Sequence, residues 1–343
     1  MKYLDFKQSY IEKSKNEQIS IDNYISSQNY IENMINKVEP ELDNIREKGY
    51  ITGINNIKLY YEKYIVKNPK ASIVICHGIG EYTEKYNELI YYFINNRYSV
   101  FIIEQRGNGR SGRLGGDSCQ ISVEKFDYYI EDFKKFIDEI VVPESRGKEL
   151  LLFAHSMGGG IGTIFLENYP QYFNGAVLSS PMHKIHTGKS AAFIADILSA
   201  IFICIGNQYK YMPGQNPYSG KRKFPNRTTN CEERYNYQYN KILANKMYQT
   251  GGASAKWYFE ASKATRSLRK KKNISKVKIP VLLIEAECDT HVVAKAHYKF
   301  AHYAQNCELT IVNNGKHETY FEIDDITKPV VGKILGFYDS LIK

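Results

Sequence analysis

The feature that most restricts this chain is an alternation of short apolar runs with helical stretches. The runs "ASIVICHG" (71–78), "YSVFIIE" (98–104), "LLFA" (151–154), "GAVLSS" (175–180), "IPVLLIEAE" (279–287) and "CELTIVNN" (307–314) have the length and composition of buried strands. Helical patterns lie between and after them, near 84–96, 123–140, 158–166, 294–304 and 328–342. Such alternation implies a mostly parallel sheet with helices on both faces. Before the first run, "YITGIN" and "IKLYYEKYIV" read as a hairpin joined at Asn55-Asn56, and 1–48 is polar with helical spacing and no recognisable chemistry.

The rhythm stops at Pro181 and resumes at 279. An insertion of about 90 residues between two strands far exceeds an ordinary connection, so 183–272 is expected to form a subdomain on the sheet's C-terminal edge, where ligands bind. The expected organisation is an N-terminal helical extension (1–48), a core made of 49–182 and 273–343, and a cap (183–272). With 43% hydrophobic residues in 343, the chain has ample material for a core.

Within "LLFAHSMGGGIG" (151–162) a buried strand breaks on Ser156 and runs into a glycine-rich helix start. A strand-to-helix turn this tight strains its central residue, lifts that side chain clear of the sheet and needs small residues two positions to either side. Ala154 and Gly158 fill those positions, with Ala in place of the usual first Gly. Ser156 could instead simply cap the helix. A serine nucleophile needs a base, an acid that orients the base, and two donors for an oxyanion. His317, in "NNGKHETYF", follows the last strand, and Asp289, in "EAECDTHVV", follows the strand before it. The order Ser156, Asp289, His317, each just past a strand, is that of the α/β-hydrolases. Glu285, Glu287 and Asp289 alternate onto one side of the strand end, so periodicity does not choose among them. The loop in "ICHGIGEYTEKY" (75–86) is placed to give one oxyanion donor and the amide of Met157 the other. "GNGRSG" (107–112) matches G-x-G-x-x-G, but no helix opens after it and it is not the first strand-to-helix turn, so a dinucleotide site is not expected.

"HGIGEYTEKY", "RGNGRSGR", "HSMGGG", "SSPM" and the late Asp289/His317 pair resemble the monoacylglycerol lipase and bacterial lysophospholipase branch of the serine α/β-hydrolases, over roughly 50–343. The resemblance implies Ser156 as nucleophile, His317 as base, Asp289 as acid with a fitting spacing to Val292, and the amides of Ile79 and Met157 as the oxyanion hole. It also implies a cap that shelters the acyl chain, and a two-step ester hydrolysis that uses no metal or organic cofactor. Ala154 in the elbow and Glu104, where many relatives carry Asp, depart from the family pattern. His183, His186, His291, His297 and His302 form no metal-ligand grouping in the sequence.

Charge narrows the substrate. Residues 183–272 hold 17 Lys and Arg against 4 Asp and Glu, a net of +13, while the rest of the chain is at −4. A cap that is basic and carries Phe193, Ile197, Leu198, Ile201 and Phe202 suits an anionic membrane surface or a phosphate headgroup. This favours a lysophospholipid over a monoacylglycerol, with Phe193, Ile197 and Ile201 as candidate substrate contacts. "KRKFPNR" and "RSLRKKK" lack interleaved aromatics, so nucleic acid is not the expected partner. A broad carboxylesterase and a non-catalytic lipid binder with a relic elbow are the alternatives. Six scattered cysteines without a C-x-x-C pair and a start without an apolar signal region predict a reduced, cytoplasmic protein, peripheral at most to the inner membrane face. The most apolar window, 191–206, contains Asp196 and falls short of the roughly 20 residues of a span.

Overall fold

The computed structural model describes residues 23–188 and 192–342. The part of the N-terminal extension before residue 23 therefore lies outside the described residues. Strands β1 (Arg46–Thr52), β2 (Lys58–Tyr64), β3 (Ala71–Cys76), β4 (Tyr98–Ile103), β5 (Leu150–His155), β6 (Gly175–Ser179), β7 (Val281–Ala286) and β8 (Cys307–Val312) form one sheet in the order β1-β2-β4-β3-β5-β6-β7-β8. The hairpin β1–β2 and the β2–β4 pair are antiparallel, and every pairing from β4 onward is parallel. Asn55 and Asn56 both adopt left-handed φ (58° and 59°) at the hairpin turn, a conformation Asn tolerates well. β3 to β7 are buried at every position, which is why their sequences are apolar without alternation.

The principal helices are α1 (Asn87–Asn95), α2 (Asp127–Phe136), α3 (Met157–Asn168), α4 (Ala192–Cys204), α5 (Glu232–Ala244), α6 (Ala255–Leu268), α7 (Ala294–Tyr303) and α8 (Asp324–Asp339). Alternate strand residues point to opposite faces. Val74, Leu152, Leu178 and Leu283 pack with Phe133 of α2, Phe165 of α3, Trp257 of α6 and Phe300 of α7. Ile73, Phe153, Val177 and Leu282 pack with Leu89 of α1 and Ile334 of α8 on the other face. The last helix opens earlier than its apolar pattern predicts, at Asp324 and Asp325, two carboxylates that suit a helix N-terminus.

Residues of the N-terminal extension join this second layer. Tyr30, Met34, Val38 and Leu42 are buried at a spacing of four along the helical turns Tyr30–Asn33, Met34–Val38 and Glu39–Asp43. An α-helix would rotate such a stripe by about 40° at each step; the π-helical turn Met34–Val38, wider than an α turn, offsets that rotation and keeps the four on one face. β1 then begins at Arg46, before the expected end of the extension.

The insertion between β6 and β7 runs in two directions. α6 is capped by Ser254 Oγ, which accepts from the Trp257 amide at 3.0 Å, and it buries Trp257, Tyr258 and Ala261 in the core on α3's side of the sheet. α5 sits on the other side, pinned by Arg234, whose guanidinium is fully buried. It donates to Glu88 of α1 (2.7 and 3.0 Å), to Asp324 at the start of α8 (3.0 Å) and to the Ile25 carbonyl (2.9 Å).

Candidate active site

Ser156 stands between β5 and α3 at φ 52°, ψ −118°, a region L-residues rarely occupy and one that costs on the order of 1–3 kcal/mol. Its backbone is held from three sides. The Ser156 amide donates to the Ser179 carbonyl (3.1 Å), and its carbonyl accepts from Gly160 (3.1 Å) and Met182 (2.7 Å). A Cβ on Gly158 would lie 2.0 Å from the Cys76 carbonyl oxygen, so only glycine lets α3 start this close to the end of β3. The extra methyl of Ala154 is accommodated by a second glycine: a Cβ on Gly162 would meet it at 3.0 Å.

His317 Nε2 lies 2.8 Å from Ser156 Oγ, and His317 Nδ1 lies 2.6 Å from Asp289 Oδ2. Burial by itself would raise the Asp289 carboxyl. The hydrogen bond and charge of His317 outweigh it, aided by the amides of His291 (2.7 Å) and Val292 (3.2 Å) on Oδ1, and hold it at about 2. An ionised carboxylate only accepts, so Nδ1 carries the proton and Nε2 is free to accept from the serine hydroxyl. The competing carboxylates point elsewhere. Glu285 accepts from Tyr298 Oη (2.7 Å), Glu287 accepts from the Asn314 amide (3.1 Å), and only Asp289, past the turn that ends β7, reaches His317.

The loop after β3 closes over the serine: a Cβ on Gly78 would lie 3.1 Å from Ser156 Cβ. Ile79 is in this loop, and Met157 is the first residue of α3, whose opening amides precede the first intrahelical bond, Gly160 to Ser156. The 107–112 loop supports the first of these. Asn108 Oδ1 accepts from the Gly80 amide (2.7 Å), and His77 Nε2 accepts from the Gln105 amide (2.8 Å). Glu104 is fully buried and binds the Arg110 guanidinium (2.9 Å) and the Thr83 amide (3.1 Å), so the longer acid still braces the loop. No helix opens until Asp127, as a dinucleotide site would require.

Sequence reasoning left three groups around His317 without a role. The His291 ring lies 4.6 Å from that of His317 and is held neutral, at about 4, chiefly by burial and then by the neighbouring His317. His155 lies 4.8 Å away on another side, and burial pushes it down to about 3. Beneath them Lys85 bridges Glu81 (2.7 Å) and Glu318 (2.6 Å). The Glu81-to-Lys85 spacing of four was the available signal. Asp289, His291 and His317, and likewise Glu81, His155 and Glu318, offer atoms close enough to share a metal ion. In the first set the Asp289-facing nitrogen carries a proton, and in the second the Lys85 ammonium already bridges the two carboxylates.

A cavity of about 570 Å³ borders this centre, lined by Gly80, His291 and Glu318 on the core side and by Tyr218, Lys221 and Lys223 on the insertion side. Ser156 is close to it but not in its wall. Phe193, Ile197 and Ile201 do not line it either: they are 64%, 56% and 49% exposed on α4. The physical reason is Asp196. Its carboxylate binds Ser262 (2.5 Å) and Arg266 (2.6 Å) of α6, which turns the aspartate inward and the isoleucines outward. Among the described residues, no helix is long and apolar enough to cross a membrane.

This sheet order, with a strained serine turn after β5, defines an α/β-hydrolase of the serine type. The chain belongs to the family described as serine aminopeptidase, S33, which matches residues 67–324. It is 29% identical over 295 residues to the probable lysophospholipase L2 of Haemophilus influenzae, covering 84% of this chain and 90% of that one. It is 26% identical over 301 residues to lysophospholipase L2 of Escherichia coli K12, covering 86% and 88%. In structure it resembles a soluble variant of monoglyceride lipase from Saccharomyces cerevisiae, with TM-score 0.70 and 19% identity, covering 87% of this chain and 96% of that one.

Proposed function

We propose that this chain hydrolyses the acyl ester of a monoacyl lipid, a lysophospholipid in preference to a monoacylglycerol. The observation that carries the reading is the continuous hydrogen-bonded line from Ser156 through His317 to Asp289. His317 Nε2 takes the hydroxyl proton as Oγ attacks the ester carbonyl, and Asp289 stabilises the imidazolium. The amides of Ile79 and Met157 receive the oxyanion. His317 returns the proton to the leaving alcohol, and water then releases the fatty acid from the acyl-enzyme.

The headgroup preference rests on charge. Lys221 and Lys223 line the insertion side of the cavity, and the one acid in its lining, Glu318, is paired with Lys85, so the wall favours a phosphate over a cationic peptide N-terminus. The lysophospholipase names of the two relatives agree with this choice. Residues 183–272 act as a cap on the core of 49–182 and 273–343. The outward face of α4 and the basic clusters of this segment give it peripheral contact with an anionic membrane surface.

The test is a fatty-acid release assay across lysophospholipids, monoacylglycerols and short aryl esters, in low and physiological salt. Turnover highest on lysophospholipid, and falling with salt only for substrate in anionic vesicles, is expected. Turnover confined to the short esters would replace the reading with a broad carboxylesterase.

A further inference from the structure

The oxyanion loop and the base come from distant parts of the chain, and one buried ammonium joins them. Lys85 Nζ donates to Glu81 Oε1 at 2.7 Å and to Glu318 Oε1 at 2.6 Å. Glu81 turns its other oxygen to the Gly78 amide (2.5 Å) and Tyr86 Oη (2.6 Å), so it holds the loop that carries Ile79 against Ser156. Glu318 is the residue after His317, and its amide donates to the Thr228 carbonyl (2.9 Å) of the insertion. The side chains of Lys85, Glu81 and Glu318 are 12%, 7% and 8% exposed. Burial alone would discharge Glu81 and Lys85. The Lys85 charge instead keeps Glu81 well below the usual carboxylate range, and the two glutamates keep Lys85 above the usual lysine range.

We propose that Lys85 is a positioning residue that clamps the oxyanion loop, through Glu81, to the segment carrying His317, through Glu318. The clamp touches none of the reacting atoms; Lys85 and Glu318 reach the cavity wall but are bonded to each other there. It fixes the distance between the oxyanion donors and the base, two parts that must meet one tetrahedral carbon within a fraction of an ångström. Without the ammonium, two carboxylates face each other in a buried site and must separate or take up a proton, and either response loosens one of the loops. The other groups near the clamp include His155, whose Nε2 is 3.8 Å from Glu81, His77 close to the same carboxylate, and Tyr86 and Tyr320, stacked on each other at 5.6 Å. None of these supplies a second positive charge, since burial pushes both histidines toward the neutral form.

This inference rests on the ester-hydrolase reading, and the experiment separates the two. The steady-state kcat and KM on a lysophospholipid and the rate of fluorophosphonate labelling are measured for wild type and for Lys85→Met, Lys85→Arg and Glu318→Gln, with thermal unfolding as the check on folding. Lys85→Met is expected to lose about 100-fold in kcat and in labelling rate with KM nearly unchanged, the scale of a displacement of about 1 Å near reacting groups. Lys85→Arg, which restores the charge, is expected to recover most of that loss. If Lys85→Met does not fold, Glu318→Gln decides: it keeps an acceptor for Lys85 but removes the charge, and its kcat is expected to fall with KM unchanged. A folded Lys85→Met with wild-type kcat, or a Lys85→Arg as impaired as Lys85→Met, overturns the clamp. A folded wild type that neither labels nor releases fatty acid overturns the hydrolase reading, and the clamp with it.

Discussion

Ser156, His317, Asp289, Glu81, Lys85 and Glu318 are each bonded to a partner inside the protein, whereas α4 turns Phe193, Ile194, Ile197 and Ile201 outward and is tied to α6 through Asp196. The first region is an array in which one displaced atom changes the chemistry. The second contributes apolar surface that its own fold does not bury. Both belong to the machinery beyond the strand ends, so the difference teaches where mutational sensitivity should lie: in turnover and global stability for the first, in attachment to a lipid surface for the second.

The largest effect expected from this contrast is at Asp289, the proposed acid. Asp289→Asn should lose roughly 10⁴-fold in kcat, because the histidine tautomer is no longer set. Glu287→Gln, at a carboxylate that accepts from the Asn314 amide, should remain close to wild type. The opposite ranking in the same assay would remove Asp289 from its role.

Arg234 tests whether α5 shares the rigidity of the core although it lies in the same insertion as α4. Arg234→Met leaves the buried Glu88 and the partly exposed Asp324 without their counter-charge and should cost about 3–5 kcal/mol in a denaturant titration, most of it from Glu88. A loss under about 1 kcal/mol would mean that α5 is as loosely attached as the outward face of α4.

A smaller effect comes from His155, buried and neutral beside His317. Its folded value of about 3 lies below the unfolded value of about 6.5, so on acidification the unfolded chain takes up this proton first. The stability contribution is complete above about pH 6.5 and is lost as pH falls toward 3, at about 1.4 kcal/mol per pH unit. Between about pH 5 and 6.5, where Asp289 remains ionised, the slope of unfolding free energy against pH should fall by that amount in His155→Leu. An unchanged slope would show that His155 is charged, or open to water, in the folded state.

The smallest stability effect is expected on α4. Phe193→Ser, Ile197→Ser and Ile201→Ser should each change stability by less than about 0.5 kcal/mol while lowering sedimentation with anionic vesicles. A large loss of stability would show that these side chains are buried in solution and would erase the contrast.

What could be read in advance follows from the same physics. β3 to β7 were legible because strands covered on both faces are apolar at every position. Ser156, Asp289 and His317 were legible because each follows a strand end. The orientation of α4 was not, since "AFIADILSAIFIC" is apolar almost all round and periodicity defines no inner face; the one polar side chain that decides it, Asp196, finds its partners on another helix. The N-terminal stripe was hidden because a spacing of four fits one face only when a π turn is inserted. The Glu81 half of the Lys85 bridge has a local spacing of four, but its Glu318 half joins residues far apart in sequence, and no local pattern announces such a pair.

The central claim is that Ser156 is the nucleophile, and the most direct measurement is mass spectrometry of the folded protein after treatment with a fluorophosphonate. The account predicts one adduct, on the peptide carrying Ser156, absent in a folded Ser156→Ala variant that also releases no fatty acid. An adduct on another residue, no adduct on a folded wild type, or undiminished turnover by Ser156→Ala would contradict it.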